Sequence, residues 1–270
     1  MTDFTPKFIT VPAQAEHTAT VIFLHVCLRF KPELRHTSNA HGLLWIDHGF
    51  PTQGLGDSGR GWQDSGRGWQ ETVAEFSRDP RLNHIKWILP QAPTIPITGY
   101  GGSRMPSWYD IVSFEAIDDP STHDAEGMLA TVRALTNLIT AEGPSVPVVL
   151  GGFSQGATIS LLTGLTIKET LAGIIALSGR LPLRDRIASM INDHVTELPI
   201  FWGHGEKDPL VKFEYAINSI DFLKTQIGVK EVSEGTTGKP IGLSVHRYPE
   251  MVHTVCDKEL SEGLGDGLRP

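Results

Sequence analysis

Three side chains in the second half of the sequence have the types and the order that nucleophilic hydrolysis requires. Ser154 lies in the segment Gly152-Phe-Ser-Gln-Gly156, and Asp208 and His253 each follow a short apolar run further along the chain. A serine hydroxyl becomes a useful nucleophile when a histidine accepts its proton and an acidic residue stabilises the resulting imidazolium. The order serine, acid, histidine is typical of folds that carry the serine on a strand-to-helix turn. We therefore predict these three residues as nucleophile, acid and base.

The residues around Ser154 predict such a turn. An apolar run from Val146 to Leu150 precedes it, and an apolar helical stretch from Gln155 to Thr166 follows it. A turn this tight brings two backbones together, so that a side chain at either flanking glycine would collide with its neighbours. We expect the serine to stand above the edge of the sheet.

Other residues compete for these roles. Glu206 and Asp221 are close enough to Asp208 in sequence to replace it as the acid, and an aspartate before a proline can also be a simple turn residue. His204 and His246 are interpreted as residues that hold loops or pack. Because three residues fall in the required order at three predicted strand ends, the catalytic interpretation is favoured.

Runs of strand length alternate with helical patterns along most of the chain. Strands are predicted at 7–11, 18–25, 85–89, 146–150, 172–177, 199–202 and 243–248, and helices at 71–78, 122–141, 155–166, 184–191, 213–226 and from 256 onward. A Pro/Gly-rich stretch at 94–107 predicts a mobile loop. This alternation predicts one α/β domain over residues 1–270, with a mostly parallel sheet and helices on both faces.

The composition limits the partners and the compartment. The 270 residues carry a net charge of −8 without a cluster of lysine or arginine, which argues against nucleic acid and against constitutive adhesion to anionic lipid. The sequence has no apolar leader and no apolar run long enough to span a membrane. Cys27 and Cys256 are its only cysteines, so a reducing cytosolic setting is expected.

Five motifs in this order resemble those of acyl-protein thioesterases, which belong to the phospholipase/carboxylesterase group of α/β hydrolases. They are Gly54–Asp57, Pro106–Asp110, Gly151–Gly156, His204–Leu210 and Tyr248–His253, and the resemblance extends from about Phe8 to Glu259. It implies an α/β-hydrolase fold and a cytosolic and nuclear enzyme that removes palmitate from protein cysteines, without a metal or an organic cofactor. S-palmitoylated proteins would be its substrates, met at the membrane surface only transiently, and the alternative is a broad carboxylesterase or lysophospholipase.

The resemblance also implies further site residues. The backbone N–H groups of Leu55 and Gln155 would hold the oxyanion of the tetrahedral intermediate. An apolar slot for the acyl chain is expected beside the 94–107 stretch, although the same side chains could merely cover the edge of the sheet. The candidates for its wall are Ile95, Ile97, Met105 and Trp108.

Two features lengthen the loop that carries Leu55. Residues 26–53 separate His25 from Gly54, although these are adjacent in the family pattern, and the heptapeptide 57–63 is repeated as 64–70. An oxyanion donor must be held within roughly 0.5 Å of its working position. If the lengthened loop misplaces Leu55, the protein would be a pseudoenzyme that only binds lipidated partners, which is the second alternative. Residues 26–53 begin with valine and end with glutamine, the residues that an unspliced in-frame intron would give. We therefore hypothesise that the segment is a retained intron or a gene-model error, and an mRNA that encodes the whole segment would refute this hypothesis.

Two departures lie near the carboxyl end. The family's histidine loop has glycine where this chain has Glu250 and Val252, and a β-branched residue with positive φ would be strained. The stretch 263–270 is too rich in glycine for us to expect a closing helix there.

Overall fold

A seven-stranded sheet runs through the described part of the chain, which comprises residues 4–25, 66–233 and 241–267 of a computed structural model. Its strands are β1 (Phe8–Val11), β2 (Ala19–Leu24), β3 (Ile85–Pro90), β6 (Val148–Phe153), β7 (Gly173–Leu177), β8 (Ile200–Gly205) and β9 (Leu243–Tyr248). Their order is β1-β3-β2-β6-β7-β8-β9, and every pairing is parallel except that of β1 with β3. The predicted mostly parallel sheet is confirmed.

Five helices cover the two faces of this sheet in the described residues. They are α1 (Gly66–Phe76), α2 (Ala125–Ala141), α3 (Gln155–Thr166), α4 (Phe213–Phe222) and α5 (Asp257–Gly267). Successive side chains of a strand point to opposite faces. In β2, Val21 and Phe23 accordingly join the core beneath α1 and α5, whereas Ile22 and Leu24 join the core beneath α2, α3 and α4. The predicted α/β architecture is therefore confirmed.

The stretch predicted as a mobile loop is instead an antiparallel hairpin of β4 (Thr94–Ile97) and β5 (Ser103–Pro106). Ile95 pairs with Met105 across the hairpin, and Ile97 is completely buried in the core. Burial of these alternating apolar side chains outweighs the local breaking tendency of proline and glycine.

The helix predicted at 184–191 is also wrong, since only a short 3₁₀ turn at Ile187–Ser189 is present. Leu183 has a φ of 54°, outside the helical range, and Arg184 forms a bidentate ion pair with Asp118. This ion pair between two distant segments of the chain holds residues 184–191 as an irregular connection.

The closing helix is present despite its glycines. A Cβ atom on Gly263 would lie only 3.1 Å from the Phe201 ring, so glycine lets α5 approach the sheet closely.

The second copy of the heptapeptide supplies the first turn of α1. Its Trp69 is buried, with its ring centroid 4.5 Å from that of Phe23. The first copy and residues 26–53 lie outside the described residues.

Candidate active site

Ser154 lies at the sharp turn between β6 and α3. Its φ of 57° and ψ of −116° are a conformation that side-chain-bearing residues rarely adopt, which costs on the order of 1–3 kcal/mol. The Ser154 N–H donates to the Leu177 carbonyl at 2.8 Å and thereby fixes the turn against β7. A Cβ on Gly156 would lie 2.2 Å from the Leu24 carbonyl oxygen, and one on Gly152 would lie 2.5 Å from the Gly156 backbone. The predicted steric reason for both glycines is confirmed.

Ser154, His253 and Asp208 form a continuous chain of hydrogen-bond contacts. His253 Nε2 lies 2.8 Å from Ser154 Oγ, and His253 Nδ1 lies 2.6 Å from Asp208 Oδ2. Since a carboxylate oxygen can only accept, Nδ1 carries the proton and Nε2 is free to accept the proton of the serine hydroxyl. Each residue follows its own parallel strand, so that the three meet at one edge of the sheet.

Asp208 is the acid that reaches this histidine. Its side chain is fully buried, and its Oδ1 accepts backbone N–H groups from Leu210 and Val211, both at 2.9 Å. The competing residues Glu206 and Asp221 are exposed at the surface. Hydrogen bonds of this kind hold the carboxylate in a fixed orientation toward His253.

The loop that carries His253 packs without the strain expected at Val252. Among the described non-glycine residues, only Ser154, Ser178 and Leu183 have positive φ. This loop packs closely against the end of β8 because residue 205 there is a glycine. A Cβ atom on Gly205 would lie 2.2 Å from the Met251 carbonyl oxygen. The expectation of strain at Val252 is therefore wrong.

Gln155 contributes a side chain that the sequence interpretation missed. This buried amide accepts from the Trp108 N–H at 2.8 Å and donates to the Ser107 hydroxyl and the Tyr109 carbonyl at 2.8 and 2.9 Å. It ties the segment after β5 to the elbow. The oxyanion role of its backbone N–H stays a prediction, and Leu55 lies outside the described residues.

The four candidates for the acyl-chain wall do not share one environment. Ile97 and Trp108 are fully buried, whereas Ile95 and Met105 are half-buried and pack against the same core. Their role in binding an acyl chain stays a prediction.

His204 and His246 have packing and loop contacts. His204 Nε2 lies 2.8 Å from the Val211 carbonyl oxygen, and His246 lies between Ser244 and Phe201. These contacts agree with the interpretation of both residues as packing or loop-holding side chains.

Among the described residues, no group of three or more His, Cys, Asp or Glu side chains is arranged to hold a metal ion. No helix in the described ranges is both long enough and apolar enough to span a membrane.

A parallel sheet with a serine at a strand–helix elbow, and with an acid and a histidine after later strands, defines a serine hydrolase of the α/β-hydrolase class. Comparison with known proteins agrees, since residues 52–262 match the model of the phospholipase/carboxylesterase family. The chain belongs to this family.

Relatives of known name are similar over most of the chain. Acyl-protein thioesterase 1 of Cryptococcus neoformans is 38% identical over 260 residues, covering 95% of this chain and 94% of that protein. The protein of the same name from Mycosarcoma maydis is 39% identical over 226 residues, covering 79% and 86%.

Solved structures confirm the fold. Acyl-protein thioesterase 2 of Zea mays superposes with a TM-score of 0.68 at 23% identity, covering 95% of both chains. SOBER1 of Arabidopsis thaliana superposes with a TM-score of 0.67 at 24% identity, covering 93% of this chain and 98% of that one.

Proposed function

We propose that this enzyme hydrolyses fatty-acyl thioesters, palmitoyl thioesters above all, on S-acylated protein cysteines. The observation that carries the proposal is the continuous contact chain from Asp208 through His253 to Ser154. Relatives named acyl-protein thioesterase 1 supply the substrate class.

This contact chain supports the following acylation step. Ser154 Oγ attacks the thioester carbonyl carbon while His253 Nε2 takes the hydroxyl proton, and Asp208 stabilises the imidazolium. Backbone N–H groups of Gln155 and Leu55 receive the oxyanion of the tetrahedral intermediate. When the intermediate collapses, the carbon–sulfur bond breaks and the imidazolium proton passes to the departing cysteine thiolate.

Deacylation repeats the same steps with water. His253 removes a proton from water as the oxygen attacks the acyl-serine ester, and the proton then returns to Ser154 Oγ as the fatty acid leaves. Over the cycle Ser154 and His253 return to their starting protonation states, and the net reaction is hydrolysis of the thioester to a thiol and a fatty acid.

The biological consequence is loss of a membrane anchor. One acyl chain gives only marginal membrane binding, so removing palmitate from a doubly anchored protein releases it. We propose brief contact with the membrane surface during this reaction, with lysophospholipids as further substrates. We also propose the cytosol and the nucleus as its compartments, in keeping with the two cysteines of the sequence, too few for a disulfide framework.

Two assays on the purified chain test this function. A fluorophosphonate probe should label Ser154, and a peptide with S-palmitoyl cysteine should be hydrolysed faster than its O-palmitoyl serine counterpart. The Ser154→Ala variant should lose both labelling and at least about 10⁴-fold in turnover, because the nucleophile is absent.

The other outcomes separate the alternatives. Turnover of the oxygen ester without turnover of the thioester would support a general carboxylesterase or lysophospholipase. A folded chain that neither reacts with the probe nor turns over either substrate would support the pseudoenzyme.

A further inference from the structure

His204 lies beneath the turn that holds Asp208. It belongs to β8, its side chain is only 1% exposed, and its ring lies 5.8 Å from that of Phe213. A polar ring so deeply buried needs a hydrogen-bonding role, because burying an unpaired polar group is costly. His204 has no place in the proton transfers derived above.

The contacts of His204 define its tautomer. Nε2 lies 2.8 Å from the Val211 carbonyl oxygen, which can only accept, so Nε2 carries the proton. Nδ1 is buried without a hydrogen-bond partner. A second proton there would be left unpaired, and burial accordingly lowers the pKa of His204. The ring is therefore neutral.

These contacts link His204 to the acid through one residue. The carbonyl of Val211 accepts from His204, and the N–H of the same Val211 donates to Asp208 Oδ1 at 2.9 Å. His204 Nε2 also lies 3.6 Å from Asp208 Oδ2, the oxygen that contacts His253. At 3.6 Å this is a contact and not a hydrogen bond, and the neutral ring places no positive charge beside the carboxylate that would compete with His253.

We propose that His204 is a positioning residue for catalysis: its neutral Nε2–H closes the 208–211 turn and aims the Asp208 carboxylate at His253. The inference rests on the proposed function, since it takes Asp208 as the acid of the reaction. His204 acts only through Asp208 and touches no reacting atom.

Replacing His204 in two backgrounds tests this role. His204→Leu removes the donor and should lower kcat/KM about tenfold, since misplacement of a catalytic group by roughly 1 Å costs up to about 100-fold. In an Asp208→Asn background the same replacement should cost less than about twofold, because the carboxylate it positions is gone. His204→Gln, whose amide can reach the same carbonyl, should restore most of the activity.

The pH profile separates positioning from a loss of folded protein. A loosened Asp208 stabilises the imidazolium less, so the acidic limb of kcat/KM should move to lower pH in His204→Leu. A merely structural defect would lower the whole profile without moving it, and would overturn the inference.

The double variant also distinguishes the two levels of the proposal. An equal cost of His204→Leu in both backgrounds would overturn the positioning role and leave the proposed function intact. Full activity in Asp208→Asn alone would overturn the acid assignment and the positioning role together.

Discussion

The side chains of Asp208 and Glu259 both carry buried carboxyl groups, but the two groups differ in the hydrogen-bond donors around them. Asp208 has a fully buried side chain, and it accepts two backbone N–H groups and the Nδ1–H of His253. Glu259 is equally buried, but neither of its carboxyl oxygens forms a hydrogen bond of normal geometry. It lies between α5 and the sheet, beside Phe23 and Trp69 in a small apolar cleft.

The lack of hydrogen-bond donors sets the state of charge of Glu259. Burial raises the pKa of Glu259 to about 8, the nearby carboxyls of Glu262 and Asp208 add to this, and the backbone N–H of Cys256 offsets only part of it. Glu259 is therefore a neutral acid at pH 7. Burial alone removes a charge; a charge is retained inside the protein only where donors are built around it.

The largest effect is expected from neutralising the acid that has donors. Asp208→Asn should lower kcat on a thioester substrate by about 10³–10⁴-fold, because the amide cannot stabilise the imidazolium and favours the wrong histidine tautomer. Steady-state kinetics measures this. Glu206→Gln and Asp221→Asn are matched controls and should retain activity; a comparable loss in either control would move the acid to another residue.

A second prediction concerns the acid that lacks donors. The folded chain keeps the Glu259 proton up to about pH 8, whereas the unfolded chain loses it near the ordinary value of 4.5. The contribution of Glu259 to the free energy of unfolding is therefore fully present below pH 4.5 and falls as the pH rises toward 8. Relative to Glu259→Gln, the wild type should lose on the order of 5 kcal/mol in unfolding free energy over this range.

Urea unfolding at several pH values measures this difference. The exposed Asp257 begins the same helix, and Asp257→Asn should keep the pH dependence of the wild type. Parallel stability curves for the wild type and Glu259→Gln would show that Glu259 is ionised in the folded chain.

The smallest effect, a loss of stability, is expected from replacing Gly203 on β8, the strand against which Glu259 lies. A Cβ on Gly203 would be 2.3 Å from Glu259 Oε1, so Gly203→Ala should displace the buried carboxyl and cost about 1–3 kcal/mol. In a Glu259→Ala background the added methyl group meets no carboxyl, and the cost should disappear. An unchanged cost in the double variant would place the collision elsewhere.

The catalytic residues could be predicted from sequence because each depends on a local pattern. The elbow glycines, the strand before Asp208 and the strand before His253 are each readable in a few residues, and parallel strands then place their ends at one edge. Strand positions and the start of α3 followed from apolar runs in the same way.

What could not be predicted depends on contacts between distant segments. The β4–β5 hairpin forms because Ile97 reaches the core, which no local pattern of proline and glycine reveals. The irregular segment after β7 depends on the ion pair of Arg184 with Asp118. The state of Glu259 likewise depends on how closely Gly203 and Gly263 let α5 approach the sheet.

The acyl-enzyme is the species that tests the proposed reaction most directly. The chain is mixed with an S-palmitoyl cysteine peptide, quenched in acid within one turnover, digested and analysed by mass spectrometry. A palmitoyl group on the peptide that contains Ser154, absent from Ser154→Ala, is the expected result. Turnover with the palmitoyl group on another residue, or undiminished turnover by Ser154→Ala, would contradict it.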